Sequence, residues 1–143
     1  QALPDLVPLP SSLPPSPLVF QGLRSRIAEH QKAAKISGAL HASLFANSKG
    51  EIVLCREDIG RHNALDKLIG AMAVNGSNPK SGFAIMTSRC SLELIHKAVR
   101  AEIATLVCLS APTSLTVEWA RRNRLNLIHL PNSSPPRLYS PAP

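Results

Sequence analysis

The chain has 143 residues, enough for one domain with a real core, and a formal net charge of +7 from 16 Lys and Arg against 9 Asp and Glu. That excess points to an anionic partner without saying which. Five aromatic residues (Phe20, Phe45, Phe83, Trp119, Tyr139) are too few for a stacking platform for single-stranded nucleic acid, no apolar run approaches the roughly 20 residues of a membrane span, and no signal peptide opens the chain.

Six of the thirteen prolines fall in residues 1–17 and five in 131–143. Both stretches read as extended, proline-rich flanks of a core domain spanning 18–130. With no initiator Met at its start, the chain is expected to be a fragment of a longer protein.

Residues 17–35 predict a helix. Pro17 suits its first turn after Ser16, Phe20, Leu23, Ile27 and Ala34 keep roughly one face, and Lys32 and Lys35 lie near its end before Ser37-Gly38. Leu40 to Ala46 alternates as a strand does, Asn47-Ser48-Lys49-Gly50 is a turn, and Glu51 to Cys55 is a second strand, completing an antiparallel hairpin. The period then changes. Helices are predicted at 61–74, 91–101 and 113–123, alternating with buried strands at 83–86, 103–109 and 125–130. Such alternation implies right-handed parallel crossovers. The predicted fold is α/β, a three-layer α/β/α sandwich on a mixed sheet of five strands, one antiparallel at the edge and four mainly parallel.

Cys55, Cys90 and Cys108 form no C-x-x-C pair, which suits a reducing cytoplasm better than a disulfide framework. Cys55 and Cys108 fall in strand runs and read as core. Cys90 opens a helix, where a thiol pKa tends to fall, so a reactive thiol competes there with a small core residue.

Ligands bind at the carboxyl ends of the strands in an open parallel sheet. Three strand-to-helix turns are expected on that rim: Arg56 to Asn63, Thr87 to Ser91 and Ser110 to Ser114. Each opens a helix, whose free N–H groups and positive dipole end favour anions. Arg61 and Arg89 add forked cationic donors suited to phosphate, and Gly60 allows close approach of the backbone or supplies a positive φ. Together they predict a site for a polyanion such as a nucleotide or pyrophosphate. Structural readings stand beside this one. Glu57 and Asp58 serve equally as helix caps, Asp66 and Lys67 as an exposed pair, and Glu93 with Lys97 as an i,i+4 pair. His41, between apolar strand neighbours, reads as half-buried, with a ligand or proton-transfer role as the alternative.

The run from Arg56 to Gly70, Arg-Glu-Asp-Ile-Gly-Arg-His-Asn-Ala-Leu-Asp-Lys-Leu-Ile-Gly, closely resembles the signature of the formate dehydrogenase accessory sulfurtransferases, the FdhD family. Ser37 to Ala42, with its histidine, is similar to their Thr-Gly-Gly-x-His-x-Ala segment. Ser88-Arg89-Cys90-Ser91-Leu92-Glu93 with Lys97 resembles their Ser-x-Arg-x-Ser-x-Glu run and its lysine, and Ser110 to Leu115 resembles a further segment. The resemblance covers about 36–130, in order.

It implies a cytidine-deaminase-like fold and a part in maturing molybdenum-dependent formate dehydrogenase. Sulfur would come as a persulfide from a cysteine desulfurase and pass to the molybdenum cofactor, a bis-molybdopterin guanine dinucleotide for which a guanine nucleotide is an analogue. It implies that His41, Glu57, Asp58, Gly60, Arg61, His62, Asn63, Lys67, Ser88, Arg89, Ser91, Lys97, Thr113 and Ser114 hold that cofactor. The stretch Leu130-Pro131-Asn132-Ser133-Ser134-Pro135, after the last strand, would join them, although the family's Gly-Arg element is absent there and Arg137 follows later. The family's sulfur-carrying Cys-Gly-x-Cys-Gly loop is expected upstream of Gln1. Implied partners are the desulfurase and the catalytic subunit of the dehydrogenase, with room for a homodimer. A zinc deaminase shares the implied fold, but His41-Ala42-Ser43 has Ser where that chemistry needs Glu, and no Cys pair exists, so zinc is not expected. A nucleic-acid-binding module would draw on the net charge, but the basic residues are dispersed and no known binding motif is present.

Overall fold

The computed structural model describes residues 6–31 and 40–141. A short 3₁₀ turn (Pro17–Phe20) precedes α1 (Leu23–His30), β1 (His41–Ala46), β2 (Ile52–Asp58) and α2 (Arg61–Asn75). β3 (Phe83–Met86), α3 (Leu92–Arg100), β4 (Thr105–Cys108), α4 (Ser114–Arg122), β5 (Asn126–His129) and β6 (Arg137–Ser140) follow.

One sheet runs in the order β2-β1-β3-β4-β5-β6. β3, β4 and β5 are mutually parallel, whereas β1 is antiparallel to both of its neighbours, β2 and β3. Two features differ from the expected sheet. It has six strands, because Arg137–Ser140 pairs antiparallel with β5. The antiparallel member of the hairpin is also not an edge strand: β1 lies inside and β2 forms the edge. β2, β3, β4 and β5 therefore point one way, and β1 and β6 the other.

Strand alternation divides the core into two layers. Phe45, Ala84, Met86, Leu106, Cys108 and Leu127 meet Leu65, Leu68 and Met72 of α2, Leu94, Ile95, Ala98 and Val99 of α3, and Ala120 of α4. On the other face Ala42, Leu44, Ala46, Phe83, Ile85, Val107 and Ile128 meet Phe20, Leu23 and Ile27. This is the three-layer α/β/α arrangement. β3 and β4, covered on both faces, are buried at every position, which is why they read as continuous apolar runs.

The helix expected over 17–35 is divided at Gly22, which takes φ 67 between the 3₁₀ turn and α1. Lys32, Lys35 and Ser37-Gly38 lie outside the described residues. The described parts of the proline-rich flanks join the same body. Leu9 is buried in the core and its N–H donates to Asn123 O at 2.9 Å, while β6 comes from the stretch 131–143.

Candidate functional site

The carboxyl ends of β2, β3, β4 and β5 and the start of β1 meet at one edge of the sheet. β2 runs three residues beyond its expected end, so Arg56, Glu57 and Asp58 are strand residues opposite Ser43, Ala42 and His41. His41 is therefore half-buried at the rim, across from Asp58. Thr87, just past β3, fastens the start of β1: its Oγ1 accepts from Ala42 N–H at 2.9 Å and its own N–H donates to Ala42 O at 3.1 Å. Leu109 N–H donates to Met86 O at 3.1 Å and Leu130 N–H to Cys108 O at 2.9 Å, so successive rim segments are tied in sequence.

Three helices open on this edge, but they are not capped alike. Ser91 Oγ accepts from Leu94 N–H at 3.4 Å and Thr113 Oγ1 from Thr116 N–H at 3.2 Å. Both oxygens, expected to face a ligand, are thus engaged as caps, and exposed Ser114 follows as the first residue of α4. α2 has no side-chain cap: its N-cap is Gly60, and Asp58 Oδ1 accepts from the Gly60 N–H at 3.0 Å, one position before the helix. Gly60 has φ −93, so it supplies no positive φ. An added Cβ would stand 3.3 Å from Asn63 Nδ2, which leaves close packing as its local requirement.

Asp58 Oδ2 also lies 2.6 Å from Lys67 Nζ, which donates to Glu57 O at 3.2 Å. The Lys67 hydrogen bond first, and the Gly60 N–H second, hold the Asp58 carboxyl below its usual range. The bridge that pins the start of α2 to the end of β2 thus persists at pH values where an ordinary Asp has begun to protonate.

Two further contacts join α2 to α3. Lys97 Nζ donates to Asp66 at 2.7 Å, and His62 Nε2 lies 4.0 Å from Glu93. The expected Asp66–Lys67 and Glu93–Lys97 pairs give way to these because α2 and α3 pack side by side. Lys97 lines a groove of about 550 Å³ with Asp66, Ile69, Glu93 and Arg100 on the outer surface of α2 and α3. It therefore faces that groove, with its amine engaged.

Arg61 and Arg89 have no carboxylate partner among the described residues. Arg89 is exposed, while Arg61 Nε is buried with no hydrogen-bond partner. Ser88 is 6% exposed, and its Oγ is also buried and unpartnered. Each unmet buried polar atom costs about 1–3 kcal/mol. Two of them, on successive strand-to-helix turns, fit a rim shaped to meet hydrogen-bonding atoms from outside the chain.

Arg24, on α1 below the other face of the sheet, is the residue that sequence reasoning missed. Its Nε donates to Leu130 O and Pro131 O, each at 3.2 Å, and its Nη2 to Leu109 O at 3.0 Å and Leu130 O at 2.9 Å. One guanidinium thereby joins the carboxyl ends of β4 and β5. The only available signal was its place beside the buried Leu23 and Ile27 stripe. Of the stretch after β5, Leu130 is buried, Pro131 half-buried, and Asn132, Ser133, Ser134 and Pro135 exposed on the way to β6.

None of the three thiols is set up as a nucleophile. Cys90 and Cys108 are buried. Cys108 is raised well above the ordinary range by its hydrogen bond to Cys90 and by burial. Burial, and secondarily Glu57, pushes the half-buried Cys55 thiol up to about 11. A raised thiol pKa leaves little thiolate at neutral pH. Iodoacetamide at pH 7.5 is expected to alkylate Cys55 about a hundredfold more slowly than a free cysteine and to leave Cys90 and Cys108 unmodified. Mass spectrometry over a labelling time course checks this, and rapid labelling at any of the three contradicts it. Among the described residues no cluster of three or more His, Cys, Asp or Glu could hold a metal ion, and no helix is long and apolar enough to cross a membrane.

A three-layer α/β/α domain with a polar, cation-bearing rim at its strand ends defines the class. Residues 5–142 match the model of the FdhD/NarQ family, and the chain belongs to that family. It is 44% identical over 121 residues to "Sulfur carrier protein FdhD" of Bordetella parapertussis, covering 85% of this chain and 42% of that protein. The protein of the same description from Bordetella petrii is 37% identical, with 98% of this chain and 52% of that protein covered. The chain thus spans about half the length of these relatives. A crystal structure from Desulfotalea psychrophila, described as a formate dehydrogenase accessory protein, superposes with a TM-score of 0.77 at 21% identity, covering 94% of this chain and 56% of that one. It shares the fold.

Proposed function

We propose that this domain holds the guanine-bearing molybdenum cofactor as substrate within a sulfur carrier that serves formate dehydrogenase. The observation that carries the reading is the pair of unpartnered buried donors, Arg61 Nε and Ser88 Oγ, on a rim whose Arg61 and Arg89 lack carboxylate partners among the described residues. Phosphate oxygens of a guanine dinucleotide are the complement: they accept from guanidinium forks and from the uncapped first turn of α2. Arg61, Arg89 and Ser88 would bind the phosphates, and the start of α2 would orient them. The exposed residues 132–135 would border the same edge.

In the whole protein, sulfur would arrive as a persulfide from a cysteine desulfurase and pass to the cofactor before its use by the dehydrogenase. The burial of Cys90 and Cys108 and the raised pKa of the Cys55 thiol support placing that sulfur on cysteines outside these 143 residues. Sulfur transfer would then be an activity of the whole protein in the cytoplasm, while this part binds and positions. A homodimer would present two such rims.

Titration calorimetry with GDP tests the binding step. Saturable binding is expected, weakened about tenfold or more by Arg61→Ala and by Arg89→Ala, since each removes a charge-assisted phosphate contact. No heat of binding to the unaltered chain, or equal affinity in both variants, overturns the reading.

A further inference from the structure

We infer that a second site, for a tetrahedral oxyanion of the phosphate class, lies at the opposite end of the sheet, where β5 begins and β6 ends. The inference is independent of what binds the rim. A cavity of about 230 Å³ is lined there by Ser11, Ser12, Arg121, Arg124, Asn126 and Ser140, with Pro141. No acidic side chain lines it. At about 30 Å³ for each water, the space holds a phosphate with several waters, or a phosphate with a small organic group.

Ser140 and Asn126 are built into the floor of the cavity, while Arg121 and Arg124 are exposed at its mouth. Ser140 is 1% exposed and its Oγ is buried without a partner, on the wall of the cavity. Asn126, 2% exposed, uses its Nδ2 on Ser12 Oγ at 3.3 Å, Ser12 O at 3.4 Å and Thr105 Oγ1 at 3.1 Å. Because Ser12 Oγ accepts from Asn126, its own proton is free to donate elsewhere. Arg121 is held by its Nε, which donates to Tyr139 O at 2.8 Å, and Arg124 by Nη1, which donates to Leu9 O at 3.5 Å. Neither has a carboxylate partner among the described residues. The nearby Glu118 is paired with Arg122 at 3.2 Å instead.

A helix C-terminus usually repels anions through its free carbonyls. Here three of the last four carbonyls are covered. Trp119 O receives Asn123 N–H at 3.2 Å and Asn123 Nδ2 at 2.9 Å, Ala120 O receives Leu125 N–H at 3.0 Å, and Arg121 O receives Arg124 N–H at 3.3 Å. What lines the cavity is two guanidinium groups, each anchored through one nitrogen, and hydroxyl donors. That set matches an oxyanion carrying two negative charges.

The test uses the whole ¹⁵N-labelled chain at fixed ionic strength. Inorganic phosphate is titrated in one arm, glycerol phosphate in a second and chloride in a third, and amide shifts are followed. Saturable shifts centred on Ser140, Arg121 and Arg124 are expected with phosphate, with the organic ester or with both. Saturation by phosphate identifies a free-ion site, and saturation by the ester alone a monoester site. Arg121→Gln with Arg124→Gln is expected to weaken binding about tenfold or more. Ser140→Ala, which removes only an unpartnered oxygen and keeps the fold, is expected to weaken it several-fold. Absence of saturation in both phosphate arms, equal shifts with chloride, or unchanged affinity in Ser140→Ala overturns the inference.

Discussion

Gly82→Ala is expected to destabilise the domain by about 3–5 kcal/mol, read as a fall of roughly 10–15 °C in the midpoint of thermal unfolding followed by circular dichroism. Gly82 leads directly into β3 with φ 78, a conformation that an L side chain adopts only with strain. A Cβ there would stand 2.1 Å from the carbonyl oxygen of Ala46 and 3.0 Å from Asn47 Cα. Both obstacles are backbone, and Ala46 is itself paired with Phe83 at the end of the β1–β3 ladder, so it cannot move aside without disturbing that ladder inside the sheet. A domain of this size has about 5–15 kcal/mol in all, so one methyl group would remove a large share. A fall of less than about 2 °C would mean that the turn can refold locally, against this account.

Arg24→Met is expected to cost about 2–4 kcal/mol and also to weaken nucleotide binding at the rim. The methionine retains much of the aliphatic stem that packs beside Leu23, so the loss isolates the guanidinium. Without it, the carbonyls of Leu109, Leu130 and Pro131 lose their shared donor at the point where β4 and β5 deliver their chains to the rim. Arg24→Lys is expected to restore only part of the loss, because an ammonium cannot reproduce the fork that reaches both strand ends. Thermal unfolding measures the first effect and GDP calorimetry the second. If Arg24→Lys behaves like the unaltered chain in both, the fork is not what matters.

Much of the fold was legible because burial leaves a simple trace. β3 and β4 are apolar at nearly every position, since both faces are covered, and α2 to α4 repeat apolar residues at helical spacing. The strands that escaped or moved had weaker traces. Arg137–Ser140 lies among prolines on an edge, with only Ser140 fully buried, so it carries no alternation to read. The hairpin itself was visible, but insertion of β1 between β2 and β3 depends on pairing across 40 residues or so, which local pattern does not encode. At the candidate site, the turn chemistry around Gly60, Arg61 and Ser88 was readable because polar residues crowd between a strand and an apolar helix. The pairing of its charges was not. Lys97 reaches Asp66 and His62 approaches Glu93 because α2 and α3 are neighbours, a fact of tertiary packing. Arg24 looked like an ordinary cation on a helix, since nothing nearby in the chain shows that its targets lie more than eighty residues away.

The reversed placement of β1 has a thermodynamic consequence. Its first residue stands at the rim, while its ladder holds both β2 and β3, so the sheet cannot part there and leave the rim intact. A ligand seated on that edge would bind only the fully assembled domain. Mass action would then turn its affinity into global stability, about 2.7 kcal/mol at a hundred times its dissociation constant. Amides at the far end of β1, around Phe45 and Ala46, would exchange with solvent more slowly for the same reason.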